Sequence, residues 1–486
     1  MDDALTASNI AQKTVKGVTA LVSRTFLINV LGILTNLVLT IYLDPASFGI
    51  FFLVSSLIVF FNYFSDIGLA ASLIQKKTEP TLSEYRNVFT IQQLLVLALI
   101  IPAFLLSPFI TSFYNLNSEG TYLLYAFLFS FLFSSLKTIP TVMLERNLQF
   151  EKLIIPQIIE NIVYNAALIA FVVWADLGVT SFTYAVLLRG IVGLIAIYIV
   201  KPWPIGFSFG FRESKALMSF GVPFQMNSIL ALLKDDLLTL YLAKVLSFTQ
   251  VGYIGFAQKW AFLPLRLVMD NVIKVTFPSY SRLQDNREAL AKLVEKSLFL
   301  IAMFIFPIVG GIIMLSPFFV EYVPRYSKWE PAIIALSFYA LNALVASVSV
   351  PLTNFLNAIG KIKITLGIMV VLTILTWVLT LTLVSMFGYN GAAAASFSVA
   401  AVALISIFFV KKYITFSFVA QIYKQAGATI AMILCVFVLQ GFIDSIISLF
   451  LIAGVSIVVY SVVLYVLAKN ELHSTVRFIF KSMRKS

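Results

Sequence analysis

The chain holds one cysteine and one histidine in 486 residues. Cys435 stands alone in an apolar run, so no internal disulfide framework is possible. His473, close to the C-terminus, leaves no histidine cluster for a metal and no imidazole–thiol pair for nucleophilic chemistry. No metal, no cofactor and no catalytic group are therefore expected. A P-loop is missing too. Gly360 and Lys361 adjoin, but Phe355 and Ile362 occupy the positions that the pattern needs, which argues against ATP hydrolysis. Charge is scarce: 12% of residues carry one, against about 25% in soluble domains. Asp2, Asp3, Lys13 and Lys16 make the first 18 residues too polar for the core of a cleavable signal peptide. That stretch fits an amphipathic helix lying along the cytoplasmic membrane surface.

What is abundant is apolar. Hydrophobic residues make up 60% of the chain, and the mean hydropathy is +0.98. Apolar windows near 20 residues long recur throughout, without the alternation of barrel strands. Lipid offers backbone groups no water partner, so such runs must be helices. The expected fold is an all-α integral membrane protein with about 14 transmembrane helices. The spans are read at 19–43, 48–75, 86–113, 120–143, 153–175, 178–200, 217–245, 250–277, 297–320, 330–357, 364–387, 390–411, 425–443 and 446–468. Twelve crossings remain open if the last pair is interfacial.

The connections alternate in charge. Odd-to-even turns are almost bare of Lys and Arg, with Arg325 and Lys328 in the 321–329 loop as the exception. Even-to-odd loops hold Lys76, Lys77 and Arg86, then Arg146 and Lys152, and continue so to the tail. The positive-inside rule then places both termini in the cytoplasm. The net charge of +12 is thus mostly a topology signal and an attraction to anionic lipid head groups, not a nucleic-acid surface.

A weak internal repeat is visible. Leu43, Phe48 and Gly49 recur with the same spacing as Leu246, Val251 and Gly252. Asp66 follows Gly49 much as Asp270 follows Gly252, and Pro140 precedes Gly178 much as Pro351 precedes Gly388. Two pseudo-symmetric six-helix lobes of like orientation are expected, related by an axis along the membrane normal, with two helices appended. The lobes are 1–200 and 217–411, joined by a cytoplasmic linker at 201–216, and 412–486 holds spans 13 and 14 and the tail.

Charges inside spans are the candidate functional residues. A charge at the bilayer centre costs ~2.5–3.5 kcal/mol on insertion scales, so each needs a partner, a snorkelling path or a water-filled cavity. Span 7 carries Lys234, Asp235 and Asp236; span 8 carries Lys259, Arg266, Asp270 and Lys274 on one helical stripe. At ~1.5 Å rise per residue an acid of span 7 reaches the depth of Lys259. Span 5 shows a polar stripe of Gln157, Glu160, Asn161, Tyr164 and Asn165, with Arg189 of span 6 within reach of Glu160. Arg24 lies near the cytoplasmic end of span 1, and Asp66 is intramembrane without an obvious partner. Structural ion pairing stands beside cavity lining as a reading for these groups. Pro102, Pro140, Pro156, Pro223, Pro264, Pro307 and Pro351 are candidate bending points.

Several motifs carry a family resemblance. They are Leu43, Asp44, Pro45, Phe48 and Gly49; Asp66, Ile67, Gly68 and Leu69; Leu73 to Lys77; Leu144 to Leu148 with Phe150; and Val251, Gly252, Tyr253, Ala257, Leu263 and Pro264. With these the chain resembles polysaccharide exporters of the multidrug/oligosaccharidyl-lipid/polysaccharide exporter superfamily, and most of all the O-antigen and colanic-acid type of lipid-linked oligosaccharide flippase. Ser247, Phe248 and Thr249 depart from the family's acidic-Pro turn in the second half. The resemblance implies an undecaprenyl-diphosphate-linked oligosaccharide as substrate and alternating access in the bacterial inner membrane. It further implies an ion gradient as driver, membrane lipids and a polysaccharide polymerase as partners, and a monomeric transport unit. On that reading Lys259, Arg266, Lys234, Arg189 and Arg24 bind the anionic head group. Asp235, Asp236, Asp66, Asp270 and Glu160 then serve ion coupling or ion pairing. The alternatives are a cation-coupled drug antiporter of the same superfamily, or a membrane polysaccharide polymerase or ligase.

Overall fold

The structure is a computed structural model that describes the backbone of residues 7–65, 68–76, 78–210 and 232–483, with side chains from 24 to 473 in those ranges. Asp66 and residues 211–231, which include the end of the expected linker and the first half of expected span 7, lie outside the described residues. The described residues are almost wholly helical, with no strand among them. In chain order the helices are α1 (Ala7–Tyr42), α2 (Pro45–Ser65), α3 (Leu69–Gln75), α4 (Leu82–Leu105), α5 (Ser107–Tyr114), α6 (Ser118–Leu136), α7 (Thr138–Arg146), α8 (Phe150–Val173) and α9 (Thr180–Val200). A short π-helical stretch, Leu232–Asp236, leads into α10 (Leu237–Val245) and α11 (Phe248–Arg282). Then follow α12 (Arg287–Tyr322), α13 (Ile333–Ala358), α14 (Ile362–Phe387), α15 (Tyr389–Ala403), α16 (Ile405–Lys411), α17 (Phe418–Leu439) and α18 (Ile446–Met483).

Among the described residues, twelve segments are long and apolar enough to cross a membrane, and they fall on the first six and last six expected spans. The two remaining expected spans are the charged hairpin. Helix α11 is 35 residues long, but it is not among the helices apolar enough to qualify. Expected span 7 is described only from Leu232 onward. Among the described residues, length and composition support twelve of the expected crossings.

The expected 120–143 span breaks at Lys137, between α6 and α7. Proline has no N–H, so Pro140 cannot bond the carbonyl of Leu136 as a helix would require. Tyr198 Oη donates to that carbonyl at 3.1 Å instead, and Trp203 Nε1 donates to Tyr198 Oη at 3.2 Å. The break is thus satisfied from α9 and its following segment, and it leaves Lys137 at the corner.

The backbone divides into two compact units, 1–252 and 253–486. In the first, α1 packs on α8, α8 on α9, α9 on α6, and α6 on α2 and α4, while α10 lies against α2. Phe51 stacks on Phe182 with centroids 4.4 Å apart. A second cluster joins Leu69, Leu73, Phe89, Ile139, Val142 and Trp203. In the second unit α12 packs on α13 and α17, α18 covers α17, and α15 packs on both α13 and α14. Its core includes Leu298, Ala302, Phe306, Leu352 and Phe355. Trp329 is fully buried and stacks on Phe256 at 4.3 Å.

Candidate functional site

In the first unit the polar stripe on α8 meets cations from three other elements. Glu160 is buried, 9% exposed. Lys137 Nζ donates to Glu160 Oε2 at 2.7 Å, and Arg189 Nη2 of α9 lies 3.8 Å from Glu160 Oε1. The Lys137 bond is the tight one, charge-assisted and at full hydrogen-bond contact. Arg189 is held more loosely, with 44% of its side chain exposed. Its guanidinium also lies 5.5 Å from the ring centroid of Tyr164, a cation–π arrangement. Gly193, one turn beyond Arg189 on α9, makes room for the pair. A methyl group there would fall 2.1 Å from Glu160 Oε2 and 3.1 Å from Lys137 Nζ.

One turn before Glu160, Gln157 accepts a hydrogen bond at its Oε1 from Arg24 Nη1 of α1. Arg24 Nη2 reaches Thr25 Oγ1 at 3.5 Å, while Arg24 Nε is buried without a hydrogen-bond partner. Among the described residues Arg24 makes no ion pair with a carboxylate. Asn161 and Asn165 turn back onto α8, donating to the carbonyls of Gln157 and Asn161 at 2.7 Å each. The working groups of the stripe are therefore Gln157 and Glu160.

Arg189 and Glu160 are thus brought together, and Arg24 joins the same helix face. Lys137, which dominates the cluster, was not singled out from sequence. It was legible by the same rule as the others, as a lone cation inside an apolar run. Lys234 and Asp235 pair with each other at 3.7 Å, both partly exposed, and the Asp235 carbonyl accepts from Thr239 Oγ1 at 2.9 Å. Asp236 closes the same π-helical stretch.

In the second unit α11 exposes Lys259, Arg266, Asp270 and Lys274 along one stripe. The i,i+4 spacing permits an Arg266–Asp270–Lys274 ladder, but no ion pair forms among the three. No group of three or more His, Cys, Asp or Glu among the described residues is placed to hold a metal.

Chemically, the α8 face holds Arg24 and Arg189 with guanidinium capacity left over. Lys137 is occupied by Glu160. Arginine's planar fork suits phosphate oxygens, so this face can receive an anion without first breaking the Lys137–Glu160 bond.

Comparison with known proteins gives these features a frame. Lipopolysaccharide biosynthesis protein WzxC of Escherichia coli (strain K12) is 25% identical over 360 residues, 73% of this chain and 72% of that protein. An uncharacterized membrane protein in the cps region of Klebsiella pneumoniae is 24% identical over 487 residues, 97% of this chain and 98% of that one. Among solved structures, lipid II flippase MurJ in an inward closed conformation aligns with a TM-score of 0.75 and 15% identity, covering 92% of this chain and 98% of that chain. An inward-facing multidrug resistance MATE family transporter of the MOP superfamily aligns with a TM-score of 0.62 and 16% identity, covering 78% and 93%. At such identities the likeness establishes the fold alone, a two-lobe all-helical architecture of the kind that the internal repeat implied. A family model described as polysaccharide biosynthesis protein matches residues 38–334, more than half of the sequence, and this chain belongs to that family.

Proposed function

We propose that this protein flips an undecaprenyl-diphosphate-linked oligosaccharide across the bacterial inner membrane for exopolysaccharide or O-antigen synthesis. It is a multi-pass membrane transporter of polysaccharide biosynthesis and not an enzyme. Both termini face the cytoplasm, the cycle is alternating access, and an ion gradient drives it. The monomer is the transport unit, and a polysaccharide polymerase takes up its product.

The observation that carries this reading is the α8 face. Arg24, Lys137 and Arg189 gather around Gln157 and Glu160, three cations against one bonded carboxylate. Such an excess of positive charge inside a membrane fold is costly unless an anion visits it. A diphosphate is an anion of the right kind. A cation-coupled drug antiporter would set Arg24 and Arg189 against its own cargo. On α11, Lys259 and Arg266 form a second cationic stripe whose chemistry also suits a diphosphate.

Reconstitution tests the reading. Purified protein in vesicles should move a lipid-diphosphate oligosaccharide between leaflets, followed as enzymatic access to the sugar. Folded protein that moves none under either a proton or a sodium gradient would defeat it.

A further inference from the structure

Beside the Lys137–Glu160 pair the first unit holds a half-open cavity of about 290 Å³. Thr138, Thr141, Glu145 and Gln157 line its polar side, and Leu153 and Pro156 lie on its apolar side. The polar groups are not used up. Glu145 has neither an ion pair nor a side-chain hydrogen bond among the described residues, and neither does the Thr141 hydroxyl. Thr138 Oγ1 accepts from Gln92 Nε2 at 2.9 Å, which leaves its own proton to donate. Gln157 accepts from Arg24 through Oε1, which leaves its NH2 to donate.

We propose that this cavity is a subsite for one neutral hexose ring of the lipid-linked cargo, the sugar bonded to the diphosphate. The proposal rests on the flippase reading above. Charge selects against the other ligands. With Lys137 neutralised by Glu160, the uncompensated group facing the space is the Glu145 carboxylate, which repels phosphate. A metal ion would lack a third carboxylate, His or Cys, and an organic cation would leave the Thr138, Thr141 and Gln157 donors without an acceptor. A sugar satisfies every group at once. Its hydroxyls donate to Glu145 and accept from Thr138, Thr141 and the Gln157 amide, while its C–H face lies against Leu153 and Pro156.

Size and continuity agree. The cavity sits at the small end of the roughly 300–1,000 Å³ range of ligand pockets, room for one ring and not for a repeat unit. Gln157 belongs both to this wall and to the hydrogen bond with Arg24. A diphosphate held by Arg24 and Arg189 therefore leaves its attached sugar next to the cavity.

The test is equilibrium binding by the purified full-length protein. The probes are undecaprenyl diphosphate and its derivatives carrying one glucose, galactose or N-acetylglucosamine. The wild type should bind at least one glycosylated probe tenfold or more tighter than the bare diphosphate. Glu145→Gln and Thr141→Val should each cut that preference at least threefold and leave affinity for the bare lipid within twofold. Equal wild-type affinity for all probes, or variants that keep the full preference, would overturn the subsite and leave the flippase reading intact. A folded wild type that binds none of the lipids would overturn both.

Discussion

Gly49 and Gly252 hold reciprocal contacts. A methyl group on Gly49 would lie 1.9 Å from the carbonyl oxygen of Phe248, and one on Gly252 would lie 1.8 Å from the carbonyl oxygen of Pro45. Each glycine thus faces the residue that opens, or nearly opens, the other's helix. The two occupy equivalent positions in the internal repeat, so the contact is made twice in nearly the same way. Neither has a positive φ, and the requirement is one of space. Because backbone is what would be struck, no side chain can rotate away. Overpacking of this kind costs about 1–3 kcal/mol. Gly49→Ala and Gly252→Ala should each lower the thermal midpoint of the purified protein and reduce flipping to a tenth or less. Wild-type midpoint and rate in both variants would show that the close approach is dispensable.

The Lys137–Glu160 bond should behave as a mostly buried ion pair. Removing one partner strands the other away from water, which costs about 1–3 kcal/mol and more when the stranded group stays charged. Replacing both with apolar groups of similar size removes that penalty. Lys137→Met and Glu160→Gln should each destabilise the protein. The double variant Lys137→Met with Glu160→Leu should recover part of the loss, as read by thermal unfolding in one detergent. Additive losses in the double variant would mean that the two groups are not coupled.

How much of this was readable beforehand depends on what kind of relationship was involved. Hydropathy reveals helices because lipid forbids anything else, so the polytopic class and the boundaries of most spans follow from the sequence alone. Gly49 and Gly252 were visible as a repeat through their common spacing. Their mutual contact was not, because a missing side chain leaves no pattern to read. Glu160 and Arg189 stood out as charges in apolar runs. Lys137 obeyed the same rule, but its partner lies 23 residues away on another helix, so nothing adjacent flagged it. The break that turns Lys137 inward comes from Pro140. A proline announces the loss of a hydrogen bond but not that Tyr198 replaces it. The Arg266–Asp270–Lys274 spacing shows the converse: i,i+4 geometry allows a ladder, and the side chains do not form it.

Anion recognition should follow the guanidinium groups. Arg24→Ala and Arg189→Ala should each weaken binding of bare undecaprenyl diphosphate tenfold or more. Lysine in either position should restore it only in part, since an ammonium has no planar fork. Lys259→Ala and Arg266→Ala should abolish flipping without loss of folded protein, because both side chains are exposed on α11 and neither makes an ion pair among the described residues. Near-normal flipping in all four alanine variants would remove the anion assignment.

Arg146 offers a test of the motif that follows the fourth span. Its Nη1 donates to the carbonyls of Leu73 and Ile74 at 2.7 and 3.0 Å, and its Nη2 to the carbonyl of Thr78 at 2.7 Å. Leu73 and Ile74 lie in the last turn of α3, whose carbonyls have no partner further along the helix. One guanidinium therefore closes α3 and holds Thr78 beyond it, which ties the Leu144 to Leu148 motif to the end of α3. Hydrogen bonds to charged groups contribute roughly 1.5–3 kcal/mol each when they are fully formed. A lysine ammonium is a point charge and cannot span three carbonyls at once. Arg146→Met should lower the thermal midpoint and speed proteolysis in 76–81, and Arg146→Lys should recover less than half of the loss. Full recovery by lysine would mean that positive charge alone, and not the geometry of the fork, holds α3 in place.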